Sequence, residues 1–298
     1  MMNQFTKTLD RTDASFAQEH VRQSTAMILD AASKLTGGRA VILGCGRCGE
    51  IPIGDLLLLF NSVDFVDQDA DALCSIESKI FSNEGPATRC SFEQADLTGL
   101  IARLAEDSRA IVEASTDPLK CLEHLAELIS DVQPVFWKPR QNTEYQLVVC
   151  SSVLTQLQAL ARKGIEESFL GKFPEHISDL STNANWRNSI WNFARRIEDA
   201  FIRHLDSLCS ADGVIYLSDT VQVCFLLHSS PNELTTRGAW LATRSDRLRD
   251  YLHPLNDVIA ERKWEWIRRG AEGPYWGRLY GIQAIEYRPV NKLPAHSH

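Results

Sequence analysis

The apolar run Arg39 to Leu43 (RAVIL) ends directly in a turn carrying Gly44, Gly46 and Gly49, and an apolar segment, Ile51 to Phe60, follows. The run has the length of a buried strand, and the glycines permit positive φ and close approach of the backbone to a ligand. Pro52 suits the first turn of the helix that follows, where its missing N–H would have no partner anyway. Val63 to Val66 reads as a second buried strand ending in Asp67 and Asp69, and Asp69 is placed to cap a helix to Phe81. Thr88 to Phe92 is a third strand, running into Gln94, Ala95 and Asp96. The resulting β-α-β-α-β order predicts an α/β fold with a doubly wound, mostly parallel sheet.

The pattern elsewhere divides the chain into an N-terminal helical lead-in (1–37), a doubly wound domain (38–220) and C-terminal strands and helices (221–298) that complete the sheet and border the ligand edge. Val21, Ile28, Ala31, Ala32 and Leu35 mark the lead-in helix. Within the domain, 100–145 reads as an insertion, with a helix over Pro118 to Ile129 and an apolar patch at Val135 to Trp137. Leu147 to Cys150 is the fourth strand, Val153 to Ala161 its helix, and 164–184 an irregular segment or lid. Trp186 to Leu208 is a long amphipathic helix, with Phe193, Ile197, Phe201 and Leu205 four apart. Val214 to Leu217 is the fifth strand. Val221 to Leu227, a helix near Ser245 to Leu252 and a closing strand at Gly281 to Tyr287 follow.

Composition excludes several classes. With 31 Lys+Arg against 39 Asp+Glu, a net charge of −8 and no long basic run, neither nucleic acid nor an anionic membrane is the expected partner. No apolar run reaches a membrane span, and the N-terminal residues show neither a secretory nor a transit signal, so a cytoplasmic protein is expected. Of the eight cysteines only Cys45 and Cys48 lie close together. A structural zinc site needs a second pair or histidines beside the first, so no metal is expected and most cysteines read as small buried apolar residues.

Gly44, Gly46 and Gly49 fit G-x-G-x-x-G between strand and helix, and Asp67 ends the next strand, where its carboxylate can take both hydroxyls of a ribose. This predicts an adenosine cofactor. Glu50, directly after the last glycine, opposes a pyrophosphate and suits a cofactor with a zwitterionic amino-acid tail. Asp96 suits an adenine amino group, with Leu97 beside it to pack on the ring. An NAD(P)-dependent oxidoreductase built on the same turn remains an alternative, as does a non-catalytic cofactor-binding module, which predicts a closed crevice beside Ser151 and Asp219.

Across residues 38 to 220 the chain resembles the class I S-adenosylmethionine-dependent methyltransferases of the Rossmann-like superfamily. The matching segments are AVILGCGRCGEIP (40–52), VDFVDQD (63–69), QADLTGL (94–100), YQLVVCSSVLTQL (145–157) and ADGVIYLSD (211–219). The resemblance implies a seven-stranded sheet with helices on both faces, S-adenosylmethionine as cofactor, and in-line methyl transfer to a small-molecule or peptide acceptor. It places Gly44, Cys45 and Gly46 beneath the methionine part, Asp67 and Gln68 at the ribose, Asp96 and Leu97 at the adenine, and Ser151 and Ser152 where the sulfonium meets its acceptor. Gln146 departs from the acid that often opens the fourth strand, and no Asn/Asp-Pro-Pro-Tyr motif follows it, which speaks against amino-group methylation of nucleobases.

The acceptor has no clear signature. Asp219 and His228 are the catalytic candidates, with Tyr216 and His253 as further bases or binding groups, although a lone histidine near an apolar strand is more often structural. Trp186, Trp191, Trp264, Trp266 and Trp276 offer an aromatic acceptor wall, with core packing the commoner role of such residues. Arg237, Arg244, Arg247 and Arg249 read as a solvated face rather than an anion site. His296 and His298 are assigned no role.

Overall fold

The computed structural model describes residues 8–9, 13–82, 89–140, 143–230, 233–236, 241–242, 248–269 and 276–289. In chain order its elements are β1 (Thr8–Leu9), α1 (Asp13–Ser33), β2 (Arg39–Leu43), α2 (Ile53–Leu59), β3 (Ser62–Asp67), α3 (Ala70–Ser82), β4 (Cys90–Gln94), α4 (Ile101–Ala114), α5 (Pro118–Asp131), β5 (Tyr145–Ser151), α6 (Leu154–Leu157), α7 (Ala159–Lys172), α8 (Ile177–Thr182), α9 (Ala184–Leu208), β6 (Cys209–Ser230), β7 (Glu233–Thr236), β8 (Leu241–Ala242), β9 (Asp257–Arg269) and β10 (Trp276–Arg288). Single turns of 3-10 helix occupy Pro174–His176 and Leu248–Tyr251. Among the described residues no helix is long and apolar enough to cross a membrane.

Seven strands make the body of the sheet, in the order β4-β3-β2-β5-β6-β10-β9. The first five run parallel. The chain reverses in β10, which pairs antiparallel with both β6 and β9. This is the doubly wound Rossmann-like sheet that the resemblance implies. Beyond Ser218, where β5 ends, the freed edge of β6 pairs with β8 and β7, and β7 pairs with β1.

Alternation along each strand sends side chains to opposite faces. Val41 and Leu43 of β2, Val148 and Cys150 of β5, and Ile215 and Leu217 of β6 enter one core, under α4 to α7 and α9. Ala40 and Ile42, Leu147 and Val149, and Val214 and Tyr216 enter the other, under α1 to α3. A parallel sheet is buried on both faces because its crossover helices must lie there, which is why these strands read as continuous apolar runs. The α1 helix buries Met27, Ile28, Ala31 and Ala32 in the second core, and Lys34, in the turn directly after it, meets the fully buried Glu286 of β10 at 2.7 Å. The lead-in is therefore part of the same packed body.

Several boundaries differ from the sequence reading. Residues 164–184 are helical almost throughout, as the end of α7, a 3-10 turn and α8. Ala161, Ile165 and Phe169 are buried four apart, and this apolar spacing outweighs Gly164 and Gly171. The 100–145 insertion holds a second helix, α4, whose Leu104, Ser108 and Val112 again repeat every four residues. Residues 211–227 form one continuous strand, so the division at 220 falls within β6. The strand β9, with Trp264 and Trp266 two apart on one face, was missed. Cys74 is exposed, whereas Cys45, Cys48, Cys121, Cys150 and Cys209 are buried. Of the expected helix near Ser245 to Leu252, residues 243–247 lie outside the described chain and a 3-10 turn follows.

Two buried carboxylates tie the sheet to its surroundings. Asp64 accepts from Arg39 Nη2 (2.8 Å), Ser91 Oγ (2.6 Å) and the Tyr145 hydroxyl (2.8 Å), linking β2, β3, β4 and β5. Asp219 caps the short α6, accepting from Thr155 N (2.8 Å), Thr155 Oγ1 (2.9 Å) and Thr220 N (2.6 Å). Burial pushes its carboxyl up to about 6, against these hydrogen bonds and with Glu198 adding to the rise.

Replacing Asp64 by Ala leaves the buried Tyr145 hydroxyl without its acceptor, and is expected to cost about 2–4 kcal/mol by urea unfolding. Tyr145→Phe removes donor and need together and should cost about 1 kcal/mol. Equal losses would show that the shared carboxylate is not what matters. For Asp219 the folded carboxyl binds its proton more tightly than the unfolded one. Its contribution is therefore fully present below pH 4 and is lost as pH rises toward 6 and beyond. Relative to an Asp219→Asn chain, the wild type should lose roughly 3 kcal/mol of unfolding free energy between pH 4 and pH 7. A pH-independent difference would mean that Asp219 titrates in the ordinary range.

Candidate functional site

Adjacent strands β2 and β5 begin the two halves of the sheet, one leading outward through β3 to β4 and the other outward to β6. Their following loops diverge, and a crevice opens at the carboxyl end of the pair, where open α/β sheets bind ligands. A cavity of about 670 Å³ lies there, within the range of about 300–1,000 Å³ typical of small-molecule sites.

Its floor is the glycine turn. Gly44 and Gly46 have φ of +61° and +48°, conformations that a side chain strains against. A Cβ on Gly44 would lie 2.5 Å from Val153 Cγ2, so the turn packs directly on the loop after β5. A Cβ on Gly46 would meet nothing within 4 Å. Asp67 holds the turn in place, with Oδ2 accepting from Gly46 N (2.7 Å) and Oδ1 from Asp69 N (2.8 Å). Each carboxylate oxygen keeps a lone pair for a ligand hydroxyl.

All ten residues expected at the cofactor line this cavity: Gly44, Cys45, Gly46, Glu50, Asp67, Gln68, Asp96, Leu97, Ser151 and Ser152. Asp96 also organises its own loop, accepting from Thr98 N and Oγ1 and from Ile101 N at the start of α4. The stretch after α5 supports that loop through Val135 N to Thr98 O (2.9 Å) and Trp137 N to Leu97 O (3.2 Å). The insertion thus buttresses the adenine end of the expected site. Ser152, at φ +57°, has a buried hydroxyl with no hydrogen-bond partner.

At the other end Ser151 Oγ donates to Glu50 Oε1 (3.1 Å) and lies 3.0 Å from Ser218 Oγ. Since Ser151 gives its proton to Glu50, Ser218 must donate to Ser151. Glu50 is further tied to α1 through Thr25 Oγ1, which donates to its carbonyl (3.0 Å). Cys45 and Cys48 are buried in the cavity wall. The Cys48 thiol is pushed well up, first by its hydrogen bond with Cys45 and then by burial.

The acceptor candidates separate differently. Asp219 is 1% exposed, is engaged in capping α6 and does not line the cavity. Tyr216 is buried in the core beneath α1, where burial pushes its hydroxyl up to about 12. His253 sits exposed on a turn and accepts from Leu255 N. Trp186 is buried in α9 and Trp191 is exposed on it. Arg249 lies near Glu261. The side chains of His228 and Trp276, and all of Arg237, Arg244, Arg247, His296 and His298, lie outside the described residues.

Trp266 does reach the cavity, and with it comes His20 of α1, which the sequence reading did not single out. The His20 ring stacks on Trp266 with centroids 4.5 Å apart and planes at 13°. Its Nδ1 accepts from Trp264 Nε1 at 2.9 Å. An indole N–H can only donate, so Nδ1 carries no proton and the neutral ring is protonated at Nε2. Burial lowers the His20 pKa, against the opposing pull of Glu50. The one local signal was the alternation of Trp264 and Trp266. Nothing near His20 in sequence shows that β9 lies beside it.

No protein-family model matches the chain, and no curated protein sequence matches it. Solved structures of similar shape include an S-adenosylmethionine-dependent methyltransferase from Clostridium acetobutylicum, at 10% identity and a TM-score of 0.41, covering 94% of this chain and 92% of that one. The N-methyltransferase NodS from Bradyrhizobium japonicum is similar at 10% identity and 0.39, over 94% and 99%. Precorrin 8w decarboxylase from Methanobacterium thermoautotrophicum is similar at 10% and 0.37, over 89% of each chain. The strand order, with the glycine turn at the switch point, gives this chain a doubly wound Rossmann-like fold.

Proposed function

We propose that the chain is an S-adenosylmethionine-dependent methyltransferase acting on a small-molecule or peptide acceptor. The observation that carries this reading is that one open cavity at the switch point gathers the glycine turn, Asp67, Asp96 and Ser151 along its length. A non-catalytic module with a closed crevice is disfavoured by the same opening.

The residues present fit the cofactor. The space over Gly46 admits a ligand against the backbone, and the unpartnered Ser152 hydroxyl on the cavity wall offers a polar contact. Asp67 and Gln68 would hold the ribose, Asp96 and Leu97 the adenine, and Gly44 to Gly46 the amino-acid tail, while Glu50 stands past the tail, where the cavity continues toward α1. When bound, S-adenosylmethionine supplies a methyl group already activated by its positively charged sulfur. What remains for the protein is to align an acceptor lone pair behind that methyl and to exclude water, and positioning of this kind is worth about 7–11 kcal/mol. Val153, Leu157 and Leu160 supply apolar wall. Asp219, buried away from the cavity, takes no part in proton transfer on this reading.

Calorimetric titration with S-adenosylmethionine, S-adenosylhomocysteine and NAD(H) tests the reading, with binding expected for the first two. Folded protein, freed of carried-over ligand, that binds neither would refute it, and binding of NAD(H) alone would favour the oxidoreductase. Asp67→Ala, which removes both the ribose contacts and the tether on Gly46, should weaken cofactor binding by at least about tenfold. Unchanged affinity would mean that another acid holds the ribose.

A further inference from the structure

Once the expected cofactor contacts are assigned, the cavity keeps an end that they leave uncovered. It is formed by His20 and Val21 of α1 and Trp266 of β9, beside Glu50. Two features give this end a definite chemistry. His20 presents a donor of fixed tautomer, because Trp264 occupies Nδ1 and Trp266 stacks on the ring. Glu50 presents a carboxylate aimed by Ser151, with no ion-pair partner among the described residues. The lining side chains carry four carboxylates, Glu50, Asp67, Asp69 and Asp96, against one guanidinium, Arg47, so a negatively charged acceptor is disfavoured.

We propose that this end is the acceptor site and that the acceptor is an amine, with Glu50 accepting from its nitrogen and His20 Nε2–H donating to a neighbouring oxygen or nitrogen of the same molecule. The proposal rests on the methyl-transfer reading above. In the step it implies, the lone pair of the neutral amine forms the new N–C bond while the C–S bond breaks toward sulfur. The positive charge thereby passes from sulfur to nitrogen, giving a methylated ammonium that afterwards loses a proton to water. An amine arriving as ammonium must first give a proton to water. A carboxylate beside the nitrogen stabilises the charge that develops there, whereas beside the oxygen of a phenolate or carboxylate acceptor it would repel the reacting group. His20 is a poor base in this arrangement, because its lone-pair nitrogen is occupied by Trp264. It serves as an orienting donor.

The test uses the full chain saturated with S-adenosylhomocysteine, titrated calorimetrically with a panel of primary and secondary amines. Each amine is matched by the alcohol, phenol or carboxylic acid of the same skeleton. Amines are expected to bind in preference to their partners. His20→Phe, which keeps a ring on Trp266 but loses the donor, should weaken the bound amine by at least about tenfold while S-adenosylhomocysteine affinity stays within about twofold. In turnover with that amine at saturating S-adenosylmethionine, His20→Phe should act chiefly on the KM for the amine and Glu50→Gln chiefly on kcat. A panel in which no amine binds, or in which the matched alcohol, phenol or acid binds as tightly, overturns the proposal. So does a folded His20→Phe chain that loses the cofactor and the amine together, since that would place His20 against the cofactor tail. If His20→Phe fails to fold, Trp264→Phe carries the test: freeing the tautomer should weaken the amine about threefold with cofactor affinity unchanged, and an unaltered amine affinity overturns the proposal. Failure to bind S-adenosylmethionine or S-adenosylhomocysteine at all is a separate result, and it strikes the methyl-transfer reading instead.

Discussion

The pairing of β2 with β5 is the constraint on which the rest of the molecule depends. Two parallel strands that lie side by side, yet begin opposite halves of the sheet, cannot both have their following loops packed over the shared carboxyl edge. A gap is left there by topology alone. Parallel pairing also demands a crossover for every strand, and the crossovers bury both faces, so the two hydrophobic cores follow from the same constraint. The apolar content of β2, β3, β5 and β6 is the consequence in sequence.

Polar groups at this edge divide into those that hold the scaffold and those left free to meet a ligand. Asp219 is wholly consumed by capping α6, and burial alters its proton affinity because no solvent reaches it. Asp67 serves both ends, since each oxygen takes one backbone N–H and keeps capacity for another donor. Glu50 is oriented through Ser218 and Ser151. A perturbed carboxyl near a crevice is therefore an insufficient sign of catalysis in this fold. Geometry separates Asp219, which faces inward, from Glu50 and Asp67, which line the cavity.

The segments flanking the parallel body of the sheet complete the cavity wall. The α1 helix is held to the sheet by its apolar face and by Lys34 on Glu286, and the β10 to β9 pairing carries Trp264 and Trp266 to the same side. The contact between His20 and Trp264 joins residues 244 apart in the chain. It fixes the tautomer of His20, and so a donor, at the cavity wall.

Much of this was readable from the residues alone wherever the determining interactions are local. The turn of Gly44, Gly46 and Gly49, the acids Asp67 and Asp96 at their strand ends, and Ser151 and Ser152 at the end of β5 all gather at one cavity, because strand, turn and helix order already brings strand ends to one edge. Period-four apolar spacing also marked α9, and the same spacing runs through α4 and through α7, where Gly164 and Gly171 interrupt the helical composition. The sequence could not say that β9 joins the sheet beyond β10, that α1 lies against it, or that Asp219 turns inward to Thr155. Those outcomes depend on which surfaces meet after the sheet has formed. Local pattern determined where a cofactor would lie, and long-range packing decided which side chains surround its neighbour.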